Sequence, residues 1–165
     1  MSHSQQKIRG LYFEEFEVGM TIVSAGRTIT ETDIVMFAGL SGDFTQIHTD
    51  AEYSRSSLAG QRVAHGLLIL SIASGLAVRT GFMEGTVQLF REVDEWKFIK
   101  PVFIGDTIYT IRTHLEKRPK YKEMGLIRVS YEVFKEDGEL VLYCEHIQTV
   151  KYRHPENWQH LVEKP

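Results

Sequence analysis

One segment limits the folds open to this chain more than any other. From Gly66 to Val78 it reads GLLILSIASGLAV, and wound at the helical period its apolar positions cover nearly every side. Ser71 and Ser74 interrupt the run, which is too short to cross a bilayer, since that takes about 20 apolar residues. It is therefore predicted to be a core helix from Gly66 to about Arg79, stopped at Gly81 and buried all round. Something else in the chain has to enclose it.

The rest of the sequence supplies strands. Thr21 to Thr30 (TIVSAGRTIT) is short and rich in β-branched residues, which predicts a first strand. Thr86 to Phe98 is a long mixed strand, and Pro101 to Asp106 is a turn and restart. Tyr109, Ile111 and Leu115 alternate with polar residues and form the apolar set of the next strand. Ile127, Val129, Tyr131 and Val133 alternate cleanly after it. Glu136-Asp137-Gly138 signals a hairpin, and Leu140 to Val150 returns. Before the core helix, Thr30 and Asp33 form a capping box that opens a helix from Glu31 to Leu40, closed by Ser41-Gly42. Gly42 to Thr49 has no periodicity and reads as a loop. Asp50 caps a short helix after it. One apolar helix followed by a long meander is an α+β plan: a curved antiparallel five-stranded sheet wrapped around one buried central helix. At 165 residues this is one domain, residues 11–152, with a disordered tail at 1–10 and a polar tail at 153–165.

The net charge of −3 leaves no global electrostatic case for nucleic acid. Cys144 is the single cysteine, so neither an internal disulfide nor a cysteine metal cluster is open to the chain, and in its apolar strand it reads as a small buried hydrophobe. The N-terminal MSHSQQKIRG has no apolar signal core, which makes cytoplasm the expected compartment and a membrane not a partner.

The chemistry-bearing residues gather just before the core helix. Asp43 and His48 lie five residues apart, a carboxylate and an imidazole suited to acid/base work; the alternatives are a turn-capping Asp after Gly42 and a packed loop histidine. Gly66 opens the helix. Its N–H has no intrahelical acceptor, the helix dipole concentrates positive charge there, and the missing side chain lets an oxygen approach, so it reads as an oxyanion site or as a glycine needed for close packing. His65 reads as a residue that orients the loop by hydrogen bonding. Ser71 and Ser74 share one helix face. His3, His114, His146, His154 and His160 show no mutual metal spacing and read as surface or strand residues.

Gly42-Asp43-Phe44-Thr45-Gln46-Ile47-His48-Thr49-Asp50, followed by Ala64-His65-Gly66-Leu67-Leu68, resembles the MaoC-like family of hotdog-fold (R)-specific enoyl-CoA hydratases. That family's motif runs Gly-Asp-x-Asn-Pro-x-His-x-Asp and then Ala/Val-His-Gly at the central helix. Pro101-Val-Phe-Ile-Gly105-Asp106 is similar to its Pro-x-x-x-Gly-Asp strand opener. The resemblance covers Phe13 to Lys151; Thr45 and Gln46 depart from it, standing where the family has Asn and Pro. It implies a hydro-lyase acting on trans-2-enoyl-CoA or a related acyl thioester. In it Asp43 and His48 activate water, Gly66 holds the oxyanion, and Ser74 helps hold the water unless its hydroxyl bonds back to its own helix. It also implies a homodimer or a larger assembly of dimers, and no metal or redox cofactor, CoA being part of the substrate. Two other readings stay open: a hotdog thioesterase, disfavoured because residues 67–78 carry no acid, and a catalytically silent binding or assembly subunit, disfavoured because Asp43 and His48 are both present. Acyl length, physiological direction and which of the pair delivers the proton do not follow from the sequence.

Overall fold

The computed structural model describes residues 10–159, and among them are six strands, four α-helices and two single-turn 3-10 helices. Most of the expected N-terminal tail, residues 1–9, and the end of the expected C-terminal one, residues 160–165, lie outside the described residues, and His3 and His160 with them.

The first expected strand divides into β1 (Thr21–Val23) and β2 (Arg27–Thr28). Both lie against β4 (Thr107–Pro119). Between them the Ser24 hydroxyl accepts the Thr110 N–H at 2.9 Å, so a side chain takes over one rung of the ladder where the backbone bends away. That break makes six strands of the expected five. β5 (Met124–Lys135) and β6 (Leu140–Lys151) continue the meander, and β3 (Val87–Phe98) closes the far side. The order is β1-β4-β5-β6-β3, antiparallel throughout and open at both ends, with β2 beside β4.

The capping box at Thr30 starts α1 (Glu31–Ser41), with the Thr30 N–H donating to the Asp33 carboxylate at 2.8 Å. Gly42 ends it at φ 77°, a left-handed conformation that glycine adopts without steric cost. The region expected as an irregular loop holds a single helical turn, α2 (Gln46–Thr49), because Thr45 and Gln46 supply carbonyls to the N–H groups of His48 and Asp50. α3 (Ala51–Arg55) follows, capped by Asp50 as expected.

The core helix α4 runs Gly66–Arg79 and buries Leu68, Ile69, Ile72, Ala73, Leu76 and Ala77. It is not buried all round. Leu67, Ser71, Gly75 and Val78, at spacings of four, four and three, form one exposed stripe, with Leu67 and Val78 about half exposed. The sheet curves past one side of the helix without closing, so among the described residues nothing covers the other. Among the described residues no helix is long and apolar enough to cross a membrane.

β4 faces inward with the opposite phase to the one its hydrophobic pattern predicts. Ile108, Thr110, Arg112 and His114 are buried, while Tyr109, Ile111 and Leu115 are only partly so. His114 in β4 and His146 in β6 are strand residues, as expected, and both face the interior, each 2% exposed. Cys144 in β6 is buried, and burial, then the charge of Glu145, pushes its thiol up to about 11. The segment after β6 turns back onto the beginning of the described chain. There the Arg153 guanidinium meets the Glu15 carboxylate at 2.6 Å and lies over the Tyr12 ring at 4.4 Å.

Candidate active site

Gly42 reverses the chain at the end of α1 and delivers Asp43 to the surface. Thr45 fixes its carboxylate: the Thr45 N–H and hydroxyl donate to the same oxygen, Oδ1, at 3.1 and 2.6 Å. These two bonds, the hydroxyl's first, hold the Asp43 carboxyl below the usual carboxylate range and so favour its ionised form. Thr45 stands at a departure from the expected motif, and the side chain there is tied directly to the carboxylate.

His48 sits in the one-turn α2. Its Nδ1 lies 2.7 Å from the Val63 carbonyl, and a carbonyl only accepts, so Nδ1 carries the proton and donates. The lone pair is therefore on Nε2, the atom a general base uses. Val63 is held in turn: its N–H donates to the Ile47 carbonyl at 3.1 Å, and it bridges to Phe103. Ser54, fully buried, ties α3 to this region by donating toward the Ile47 carbonyl at 3.2 Å.

His65 donates from Nε2 to the Asp43 backbone carbonyl at 2.9 Å, and its ring stacks on that of His48 with centroids 3.8 Å apart. The structure thus brings together Asp43, His48 and His65, with one oxygen or nitrogen of each within 4.8 Å of the other two. A carboxylate and two imidazoles are also a donor set that suits a small divalent cation, so acid/base work and metal ligation would draw on the same atoms.

Gly66 is the first residue of α4, with His65 at the cap. A methyl group on Gly66 would overlap the Phe98 ring, which lies across the helix end. Gly66 and Phe98 line a cavity of about 340 Å³ whose wall includes Val63, the residue that holds His48. Ser74 is not part of this group. It lines a second cavity of about 470 Å³ with Leu70, Ser71, Phe90, Tyr131 and His146. The Ser71 hydroxyl is bonded back to the Leu67 carbonyl at 2.8 Å.

Sequence reasoning missed the polar residues behind that second cavity. Tyr131 and His146 stack at 4.6 Å, and Arg112 donates from Nη1 to the Tyr131 hydroxyl at 3.2 Å. Arg112, Tyr131 and His146 come from β4, β5 and β6, so no short motif joins them; the one signal was a Thr-x-Arg-x-His alternation at 110–114 set against an apolar one.

Comparison with known proteins locates this arrangement. Residues 15–136 match the MaoC like domain model, a span that includes Asp43, His48, His65 and Gly66. The chain is 40% identical over 111 residues to the protein MaoC of Klebsiella aerogenes, covering 67% of this chain and 32% of that protein. It is 34% identical over 97 residues to an (R)-specific enoyl-CoA hydratase of Rhodospirillum rubrum, covering 59% of this chain and 65% of that one. The chain thus spans about a third and about two thirds of the lengths of these relatives. In fold it matches a Mycobacterium tuberculosis protein described as a double hotdog, with TM-score 0.77 at 18% identity over 87% of this chain and 44% of that one. Helix-in-sheet architecture, matched span and family model agree: this chain is a member of the MaoC-like domain family, with the hotdog fold.

Proposed function

We propose that this chain is a hydro-lyase that reversibly adds water across a trans-2-enoyl thioester to give the (R)-3-hydroxyacyl form. The observation that carries the reading is the gathering of the Asp43 carboxylate and the His48 ring, within 4.8 Å of one another, beside His65 at the cap of α4. Hydration needs a base to take a proton from water as its oxygen bonds to the β-carbon. It needs a donor to hold the thioester oxygen while the enolate exists, and an acid to return the proton to the α-carbon. Asp43 and His48 are the acid/base groups, each worth about 10²–10⁴-fold. The Gly66 N–H, at the positive end of a 14-residue helix, is the oxyanion donor. His65 holds the Asp43 main chain and is a positioning residue. Ser74 faces the acyl side rather than the water.

The activity, the CoA carrier and the product's hand are inferred from the named hydratase relative and from this geometry. The chain's two-fold partner and its cytoplasmic setting belong to the same proposal. A thioesterase would cleave the C–S bond instead, and α4 offers no acid to drive it. Following loss of enoyl absorbance and release of free thiol in parallel, over a panel of enoyl-CoA esters, tests the reading. Loss of conjugation without thiol release supports it; thiol release with conjugation intact replaces it with a thioesterase.

A further inference from the structure

Arg112 is the largest fully buried side chain described, at 1% exposure. Among the described residues no carboxylate pairs with it. Its Nη1 donates to the Tyr131 hydroxyl at 3.2 Å and approaches the Met83 sulfur, while Nε and Nη2 have no hydrogen-bond partner among the described residues. The Phe82 ring, 4.3 Å from the guanidinium carbon, gives it an aromatic face but no counter-charge. A buried cation without an anion is costly, so an anion brought in by a ligand would relieve that cost.

The surroundings show where that partner enters. Tyr131 accepts from Arg112, so its own O–H is directed elsewhere, and it lines the 470 Å³ cavity. His146 forms the adjoining wall, stacked between Tyr131 and Phe90. It is neutral near neutral pH: burial, and then Arg112, lower it to about 3. His114, also buried, is lowered to about 4 by burial and then by Arg112, so among these described residues the positive charge behind the wall is that of Arg112. The cavity lies along α4 on the row Gly66, Leu70, Ser74, at four-residue spacing, about 6 to 12 Å from the helix start. A thioester held at Gly66 would run its acyl group along this row. The inverted phase of β4, which turns Arg112 inward at the expense of Ile111, places a polar group where packing alone would put an apolar one.

We propose that the acyl group bound in this cavity ends in a carboxylate, which accepts from the Tyr131 hydroxyl and is held by the Arg112 guanidinium behind it. The substrate class is then the CoA monothioester of a short unsaturated dicarboxylic acid. This deepens the hydratase reading and rests on it for the placement of the thioester.

The test compares CoA monothioesters of trans-2-pentenedioic and trans-2-hexenedioic acid with trans-2-pentenoyl- and trans-2-hexenoyl-CoA, which carry methyl in place of the carboxylate. Wild type should favour the carboxylated member of each pair by at least about tenfold in kcat/KM, as expected for a charge-assisted hydrogen bond. That ratio should fall to unity or below in Arg112→Met and fall part-way in Tyr131→Phe. A wild-type preference for the methyl-ended esters, or a ratio unchanged in both variants, overturns the proposal and leaves hydration itself standing. Should Arg112→Met fail to fold by circular dichroism, the ratio in Tyr131→Phe decides. Should wild type hydrate none of the four, the hydratase reading fails, and calorimetry with the unreactive glutaryl- and pentanoyl-CoA decides this one. Tighter glutaryl-CoA binding that Arg112→Met or Tyr131→Phe weakens upholds it; equal binding overturns it.

Discussion

The Asp43 carboxyl is held below the ordinary carboxylate range by a neighbour two residues on, and that dependence can be measured. The Thr45 hydroxyl favours the charged carboxylate, so Thr45→Val removes the stronger of two donors to Oδ1 and the Asp43 pKa should rise. If the carboxylate acts as a base, activity is lost as pH falls through that pKa. The acid limb of kcat/KM should therefore move to higher pH in Thr45→Val and stay in place in Thr45→Ser; an acid limb that Thr45→Val leaves unmoved separates Thr45 from the base. Asp43→Asn and His48→Gln should each lower turnover at least about 10²-fold, with the double variant little worse than either, as for groups acting as a unit. Near wild-type turnover in either single variant removes that residue from the chemistry. Asp43, His48 and Gly66 were legible in the sequence because a short motif and the start of a helix bring them together locally. Arg112, Tyr131 and His146 were not, because they meet only through the register of three strands, which places Arg112 opposite Tyr131 and fixes His146 one strand further on.

At the scale of elements, the junction of α4 with the end of β3 links packing to the site. The Phe98 ring occupies the space a side chain at Gly66 would need, and it is 56% exposed, so it can swing aside at small cost to stability. Gly66→Ala should therefore fold normally by thermal denaturation yet lose turnover, through crowding of the donor N–H. Adding Phe98→Ala relieves the overlap with the ring but not the methyl's approach to the thioester. Full recovery in the double variant would show that the loss came from the displaced ring, and no recovery that it came from the blocked N–H. Element positions were readable from caps and turn glycines, since Thr30, Asp50 and Gly138 act through neighbours three or fewer residues away. The phase of β4 was not readable. Alternation shows that a strand has two faces; which of them turns inward is decided by what lies inside, and here that is a polar cluster.

At the scale of the whole molecule, the described residues leave apolar surface uncovered on α4 and on β3. On α4 it is the stripe carrying Leu67 and Val78; β3 is exposed from Gln88 to Phe98, with Leu89, Phe90 and Trp96 each at least 40% open. An open edge of this kind pairs readily with a second copy about a two-fold axis. It is not a plain edge, however. Three register shifts interrupt the pairing of β3 with β6, and Glu95 sits at φ 48° in one of them, so a partner strand would meet short stretches rather than one continuous ladder. A homodimer through β3 predicts that sedimentation across a dilution series shows dissociation and that activity falls with it; a monomer fully active at every concentration defeats the idea. The enclosing sheet was legible because a helix with so many apolar residues demands it, whereas the open stripe was not, since one chain's sequence does not say which of its surfaces a neighbour covers. The single thiol at the middle of β6 has a practical consequence. With its acidity suppressed to about 11 and its side chain buried in the core, Cys144 should react with an alkylating reagent only in molecules whose sheet has opened. Alkylation rate then serves as a clock for opening. A compound that binds the closed form at about a hundred times its Kd should slow that clock about a hundredfold, equivalent to about 2.7 kcal/mol. Candidate acyl thioesters can thus be ranked without any assay of turnover.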